Sequence, residues 1–251
     1  MIKMRYRRAD IGVFLCLLMG IISPTQASES PKQALDKDCH PSPSVLLPQY
    51  VVGYGSLIQR DSKNKTYPNT GENLPVLVSG FKRGWFTKGG SIGFSTTYLG
   101  LIEDVHAKLN GVIFKLPSAQ VIAHYDKREL FYCRVPVQRA AIQMLTHTPV
   151  PPGQFWIYAS TPESIAKPSD RYPIVQSYVD IFLSGCLEIE KQYHIKQFTE
   201  QCIATTSDWS THWVNDRLYP RRPFIYQPNA GVIDALLANQ LSDVFSSIKI
   251  E

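Results

Sequence analysis

The stretch Gln49-Tyr50-Val51-Val52-Gly53-Tyr54-Gly55-Ser56-Leu57 decides how the rest of this chain is read. The β-branched pair Val51-Val52 runs straight into two glycines one residue apart, the pattern of a strand, Gln49 to Tyr54, that ends in a tight turn. Glycines there let the backbone turn sharply and approach a ligand closely, and successive N–H groups in such a turn form a nest for a carboxylate. A G-x-G after a strand is also half of a dinucleotide-binding fingerprint. The other half is missing: Ile58 stands at the third glycine position, and Gln59 to Asn64 reads as a loop instead of an opening helix. A plain glycine turn that binds nothing has the same sequence.

Working outward, further short β-type runs are Pro75 to Gly80, Ile92 to Tyr98, Gly111 to Leu116, Phe131 to Gln138 and Gln154 to Ala159, each bounded by Gly, Pro or polar residues. Helical spacing of apolar residues marks Ser118 to Arg128, with Ser118 placed to cap its first turn, then Tyr172 to Ile189 and Gly231 to Ile248. Strands at this spacing without intervening helices predict an α+β fold, a small mixed β-barrel-like sheet with a few packed helices. No linker divides residues 49 to 251, which read as one domain.

The N-terminus is separate. Lys3, Arg5, Arg7 and Arg8 precede an apolar run from Ile11 to Ile22, and small residues follow at Thr25 and Ala27, which predicts a signal peptide over residues 1 to 27 and an exported, periplasmic or secreted, protein. A retained anchor is the competing reading, although the run is short for a membrane span; after cleavage no stable span is expected. Cys16 lies inside that run, between Leu15 and Leu17, and does not indicate a lipoprotein. Residues 28 to 48, rich in Ser, Pro, Lys and Asp, read as a flexible leader. Without residues 1 to 27 the chain keeps 22 of its 26 Lys+Arg and 20 of its 21 Asp+Glu, a net charge of +2. So weak and dispersed a charge argues against nucleic acid or a membrane surface as partner. Cys39, Cys133, Cys186 and Cys202 remain, with three possible pairings, and neither C-x-x-C nor H-E-x-x-H is present to suggest a metal site.

Glu129 follows the helix Ser118 to Arg128 and precedes the strand Phe131 to Gln138. A carboxylate at such a junction can be aimed into a barrel mouth and partly desolvated, which raises its pKa and suits it to accept protons. By position alone it is more simply a solvated surface charge, and Asp126, one turn earlier, competes for the same role with no better claim from spacing.

Taken together, Tyr54-Gly55-Ser56-Leu57 after the first strand and Tyr125-Asp126-Lys127-Arg128-Glu129 before Tyr132-Cys133-Arg134-Val135 resemble the γ-glutamylcyclotransferase superfamily, including its AIG2-like and ChaC-like branches. Gln154-Phe155-Trp156-Ile157-Tyr158 resembles a family strand ending in a substrate-lining tyrosine. Tyr178-Val179-Asp180-Ile181-Phe182-Leu183-Ser184-Gly185-Cys186 resembles the family's Tyr-initiated helix, whose internal glycine lets it pack closely on the sheet. The resemblance spans roughly residues 49 to 200, with a C-terminal extension from about 205. It departs from the family at Leu57 and Ile58, where one branch often has Asn after Gly-Ser, and at Leu130, where Gly is common.

The resemblance implies that Glu129 is the general base, that Gly55, Ser56 and Leu57 hold the substrate α-carboxylate through backbone amides, and that Tyr54, Tyr132, Tyr158 and Tyr178 line the substrate site. It implies a cofactor-independent enzyme in which the α-amine of a small γ-glutamyl peptide or amine attacks its own γ-carbonyl and releases 5-oxoproline. The alternatives are a non-catalytic γ-glutamyl- or partner-binding secreted protein on the same fold, or a secreted protein acting through the stretch Trp209 to Tyr226. That stretch gathers Trp209, His212, Trp213, Asp216, Arg217, Tyr219, Arg221 and Arg222, which suits either a carboxylate clamp or an ordered loop that pairs Asp216 with an arginine.

Overall fold

The computed structural model describes residues 39–89, 95–222 and 228–251. The expected signal peptide, the first part of the leader, the start of the strand from Ile92 and the end of the Trp209 to Tyr226 stretch lie outside them. Strand β1, Gln49–Gly53, is buried along its whole length and pairs antiparallel with β3, Thr96–Lys115, and parallel with β6, Gln154–Ser160. β2, Leu74–Gly89, runs antiparallel to β3, and β4, Tyr132–Val137, antiparallel to β6. With β5, Ile142–Met144, the order is β4-β6-β1-β3-β2-β5, and β8, Thr206–Ser207, pairs with β2. The expected mixed sheet is present as a half-barrel, and its pairing path is open between β4 and β5.

Two strands are far longer than the spacing of glycines suggests. Gly80 reads as a terminator, yet β2 continues to Gly89 because the ladder absorbs Gly80, at φ +92°, in a register break between Ser79 and Phe81. A second register break falls between Trp85 and Thr87 of the same strand. The segment Gln59 to Asn64 is not the loop its composition suggests: Arg60–Asn64 forms a short helix, α1, and the Gln59 side chain caps it by accepting from the Ser62 N–H at 2.6 Å.

The helix expected from Ser118 begins as a 3₁₀ turn at Ala119–Val121 and becomes α2, Ile122–Arg128. Ser118 is extended and its side chain makes no cap, contrary to its expected role. The next helix starts four residues later than its apolar stripe suggests. Tyr172 precedes Pro173 and is steered from helical geometry, and Ile174–Val175 instead forms β7, so α3 runs from Gln176 to Tyr193. β7 pairs with β9, Trp213–Asn215, which pairs with β10, Lys249–Ile250. α4, Phe198–Ala204, follows α3. The expected C-terminal helix is two, α5 at Ala230–Gln240 and α6 at Ser242–Phe245, because Leu241 leaves helical geometry at φ −133°, ψ 36°. That bend keeps Leu241, Val244, Phe245 and Ile248 against the core.

Of the three possible cysteine pairings the chain adopts Cys39–Cys133 and Cys186–Cys202. The first ties the leader to β4 beside Tyr132; the second ties α3 to α4. Gly185 has a different neighbour from the sheet contact suggested by sequence. A Cβ there would lie 2.5 Å from the Gln59 nitrogen and 2.8 Å from the Ile58 carbonyl carbon, so α3 presses on the backbone just past the glycine turn. Gly185→Ala is expected to cost about 1–3 kcal/mol through overpacking against backbone, read as a lower urea midpoint at unchanged slope.

Candidate active site

Gly53 ends β1, and the Ile58 N–H donates to the Gly55 carbonyl at 2.9 Å to close the turn that carries Tyr54, Gly55, Ser56 and Leu57. Neither Gly53 nor Gly55 adopts the left-handed conformation, so sharp turning is not what these glycines supply. Gly55 supplies clearance: a Cβ would stand 3.0 Å from the Tyr178 hydroxyl of α3, which reaches over the turn. Behind the turn, Arg83 of β2 donates from Nη1 to the Tyr54 carbonyl at 2.9 Å, and the Tyr54 hydroxyl donates to the Tyr158 carbonyl at 2.7 Å. Among the described residues, no carbonyl or side chain accepts from the N–H groups of Gly55 and Leu57, which stay available at the edge of the recess.

Glu129 is the residue after α2. Its own N–H still bonds the Tyr125 carbonyl at 2.9 Å, and its φ −93°, ψ 52° swings the chain out of the helix toward β4. Its side chain is only 15% exposed, and Oε1 lies 3.2 Å from Nε of Arg128. The same guanidinium donates from Nη1 to the Ser62 carbonyl and Thr66 Oγ1, both at 2.6 Å, and from Nη2 to Ser56 Oγ and Ser62 Oγ, both at 3.0 Å. Arg128 therefore couples the carboxylate to the glycine turn, a role that sequence reading misses: a basic residue in a last helical turn is ordinary, and nothing in the spacing sets this one apart. Burial pushes the Glu129 carboxyl above its ordinary pKa, and Arg128 pulls part of the way back.

The turn and Glu129 share one concavity. A recess of about 20 Å³ is lined by Tyr54, Gly55, Ser56, Leu57, Glu129, Tyr132, Tyr158, Tyr178 and Leu99. Ser56, Glu129, Tyr132 and Tyr178 also line a cavity of about 560 Å³, a size suited to a small molecule. The eight residues that the family resemblance implies for the site thus line one recess. Asp126 does not: it is held by Arg134 Nε at 2.8 Å and by the Tyr158 hydroxyl at 2.7 Å, and it faces a separate cavity with His40.

The four tyrosines are not equivalent. The Tyr132 hydroxyl donates to the Leu99 carbonyl at 2.7 Å, so Tyr54, Tyr132 and Tyr158 have their protons engaged and offer the recess mainly ring surface. Tyr178 interacts with Ser56, and burial pushes its phenol up to about 12. The phenols of Tyr54, Tyr132 and Tyr158 are also raised by burial. All four are neutral at physiological pH, and with the other three protons engaged it is Tyr178 that can donate into the recess without carrying charge.

The chain resembles solved γ-glutamyl cyclotransferase structures. One such structure is 14% identical, with a TM-score of 0.48 over 64% of this chain and 90% of its own. An uncharacterized protein from Homo sapiens matches at 15% identity and the same TM-score and coverage. A γ-glutamyl cyclotransferase specific to glutathione, from yeast, is 14% identical at a TM-score of 0.42, over 63% of this chain and 95% of its own. No protein-family model and no curated protein matches the sequence. Likeness of this size carries no argument about activity.

Proposed function

We propose that this chain is a γ-glutamylcyclotransferase that converts a γ-glutamyl compound into 5-oxoproline and a free amine. The observation that carries the reading is the meeting of a desolvated carboxylate, Glu129, with the glycine turn in one recess. The substrate α-amine is an ammonium ion at neutral pH and cannot attack until it loses a proton, which Glu129 accepts. The freed amine attacks the γ-carbonyl of the same molecule, so the nucleophile is tethered and proximity supplies much of the rate. A C–N bond closes the five-membered ring, Glu129 returns its proton to the leaving nitrogen as the original amide C–N bond breaks, and the second proton shed by the ring nitrogen passes through the same carboxylate to the freed amine, which departs as an ammonium ion.

In this reading the available N–H groups of Gly55 and Leu57 hold the substrate α-carboxylate, and Arg128 keeps Glu129 and Ser56 at a fixed separation. The neutral Tyr178 hydroxyl, which reaches over the turn, donates to charge developing on the carbonyl oxygen. The chemistry needs no metal or organic cofactor. Export of the protein is part of the proposal, supported by the basic-apolar N-terminus and by two disulfides, which persist in oxidising compartments. Incubating the protein with γ-glutamyl peptides and γ-glutamyl amines is expected to release 5-oxoproline from at least one class, quantified by chromatography. Failure to release it from any of them sinks the reading.

A further inference from the structure

The 560 Å³ cavity is one-sided in charge. Lys65, Lys127, Arg128 and Arg222 line it, and among the described residues Glu129 is the one carboxylate that does. A γ-glutamyl group brings one carboxylate, and the glycine turn serves it. That leaves positive potential facing the space where the leaving group must lie.

Three arginines of the C-terminal extension could serve that space, and the structure separates them. Arg217 donates from Nε and Nη2 to Asp180 at 2.8 and 2.7 Å and from Nη1 and Nη2 to Asp234, both at 2.8 Å. Arg221 donates to the Ser95 carbonyl at 2.8 Å and pairs with Glu251. Asp216 takes none of these guanidinium groups: it accepts from the backbone N–H of Arg221 and from the N–H and hydroxyl of Ser177, capping the start of α3. The expected pairing of Asp216 with an arginine is therefore a backbone contact.

Arg222 differs from both. Its backbone N–H is held by Ser177 Oγ at 3.1 Å, which fixes where the side chain starts. Its guanidinium lies over the Tyr98 ring at 4.4 Å, and Tyr98 meets Tyr178 edge to face at 5.3 Å. Arg222 thus belongs to the same wall as the tyrosine that reaches the glycine turn. Nε and Nη2, the two donors on one side of the fork, are buried and have no partner among the described residues. Buried guanidinium donors left unpaired are costly, whereas two adjacent N–H groups match the two oxygens of a carboxylate. Arg128, the other arginine of the cavity, has every nitrogen already engaged. Burial lowers the pKa of Arg222 to about 10, so it remains a cation at neutral pH.

We infer that Arg222 is a specificity residue that binds a carboxylate on the leaving-group side of the substrate, so the enzyme prefers γ-glutamyl amino acids and peptides to γ-glutamyl amines. This rests on the cyclotransferase reading for the reacting end of the molecule. γ-Glutamylalanine and γ-glutamylethylamine differ only by that carboxylate and make a direct comparison. The wild-type kcat/KM is expected to be about tenfold to hundredfold higher for γ-glutamylalanine, the range a charge-assisted bond supplies. In Arg222→Met the ratio collapses toward one, chiefly through KM, and in Arg222→Lys, which keeps the charge and loses the fork, it is intermediate. A melting temperature near that of the wild type shows that the Met variant is folded.

Equal wild-type kcat/KM for the two compounds, or an equal loss on both in Arg222→Met, overturns the inference and leaves the cyclotransferase reading standing. If neither compound yields 5-oxoproline, calorimetric titration with γ-glutamylalanine decides. Binding weakened about tenfold or more by Arg222→Met upholds the carboxylate anchor while the enzyme reading falls. Absent binding, or binding insensitive to the substitution, removes both.

Discussion

Glu129→Gln is expected to lower 5-oxoproline release at least a hundredfold, the lower end of what a positioned general base contributes. Glutamine keeps the shape of the side chain and can still face Arg128, so the loss reports proton transfer and not a rearranged recess. The pH dependence follows from the direction of the shift. Burial holds the Glu129 carboxyl above the ordinary glutamate value, so kcat/KM should fall as the pH drops through that raised pKa. Stability runs the other way. A carboxyl whose folded pKa is raised contributes stability below its unfolded pKa and loses that contribution as the pH rises through the folded one. At neutral pH the buried charge is therefore a cost, and Glu129→Gln should melt no lower than the wild type. A purely structural ion pair with Arg128 predicts the opposite, a lower melting temperature. Turnover within threefold of wild type would remove Glu129 from the mechanism.

Arg83→Met is expected to cost about 3 kcal/mol or more, a drop of about 10 °C in melting temperature for a chain of this size. Arg83 is completely buried, and among the described residues no carboxylate pairs with it. Its donors reach the Tyr54 carbonyl, the Asn110 carbonyl and Oδ1, the Cys202 carbonyl, Thr205 Oγ1 and Thr206 Oγ1, at 2.7 to 3.0 Å. The carbonyl of Cys202 and the hydroxyls of Thr205 and Thr206 lie at the C-terminal end of α4, where helix carbonyls lack partners and carry partial negative charge. A cation buried there needs no carboxylate. Burial lowers its pKa to about 9, so it is still protonated at neutral pH. Methionine fills similar space beside Phe182 but donates nothing, and several buried acceptors are orphaned at once. Because one of them is the Tyr54 carbonyl, the surviving folded fraction should also show a raised KM. A melting temperature within 3 °C of wild type would show that the guanidinium does not hold the turn.

Much of the sheet is legible in local sequence because each strand advertises itself by residues within it. Gln49 to Gly53, Tyr132 to Val137 and Gln154 to Ser160 are found within one or two residues of their expected bounds, since β-branched and aromatic runs favour extended backbone wherever they stand. Errors fall where a distant partner decides. Gly80 looks like a strand end, but β3 supplies a ladder that carries β2 through it. Ile174 and Val175 carry the apolar stripe of a helix, but Trp213 and Val214 pair with them as a strand. The helix beginning at Arg60 is invisible to composition because its cap comes from Gln59, a residue type with no strong capping preference.

The site divides the same way. The order of Tyr54 to Leu57, Glu129, Tyr132, Tyr158 and Tyr178 along the chain is a one-dimensional pattern, and the sequence by itself determined which residues to compare. Only the tertiary structure decided that Glu129 and not Asp126 enters the recess, that Arg128 joins it to Ser56, and that Arg222 keeps two buried donors without a partner among the described residues. Residue type sets what a side chain can donate, accept or titrate. Whether it has already spent those capacities depends on neighbours tens of residues away, brought within 3 Å by a sheet whose pairing no local stretch encodes.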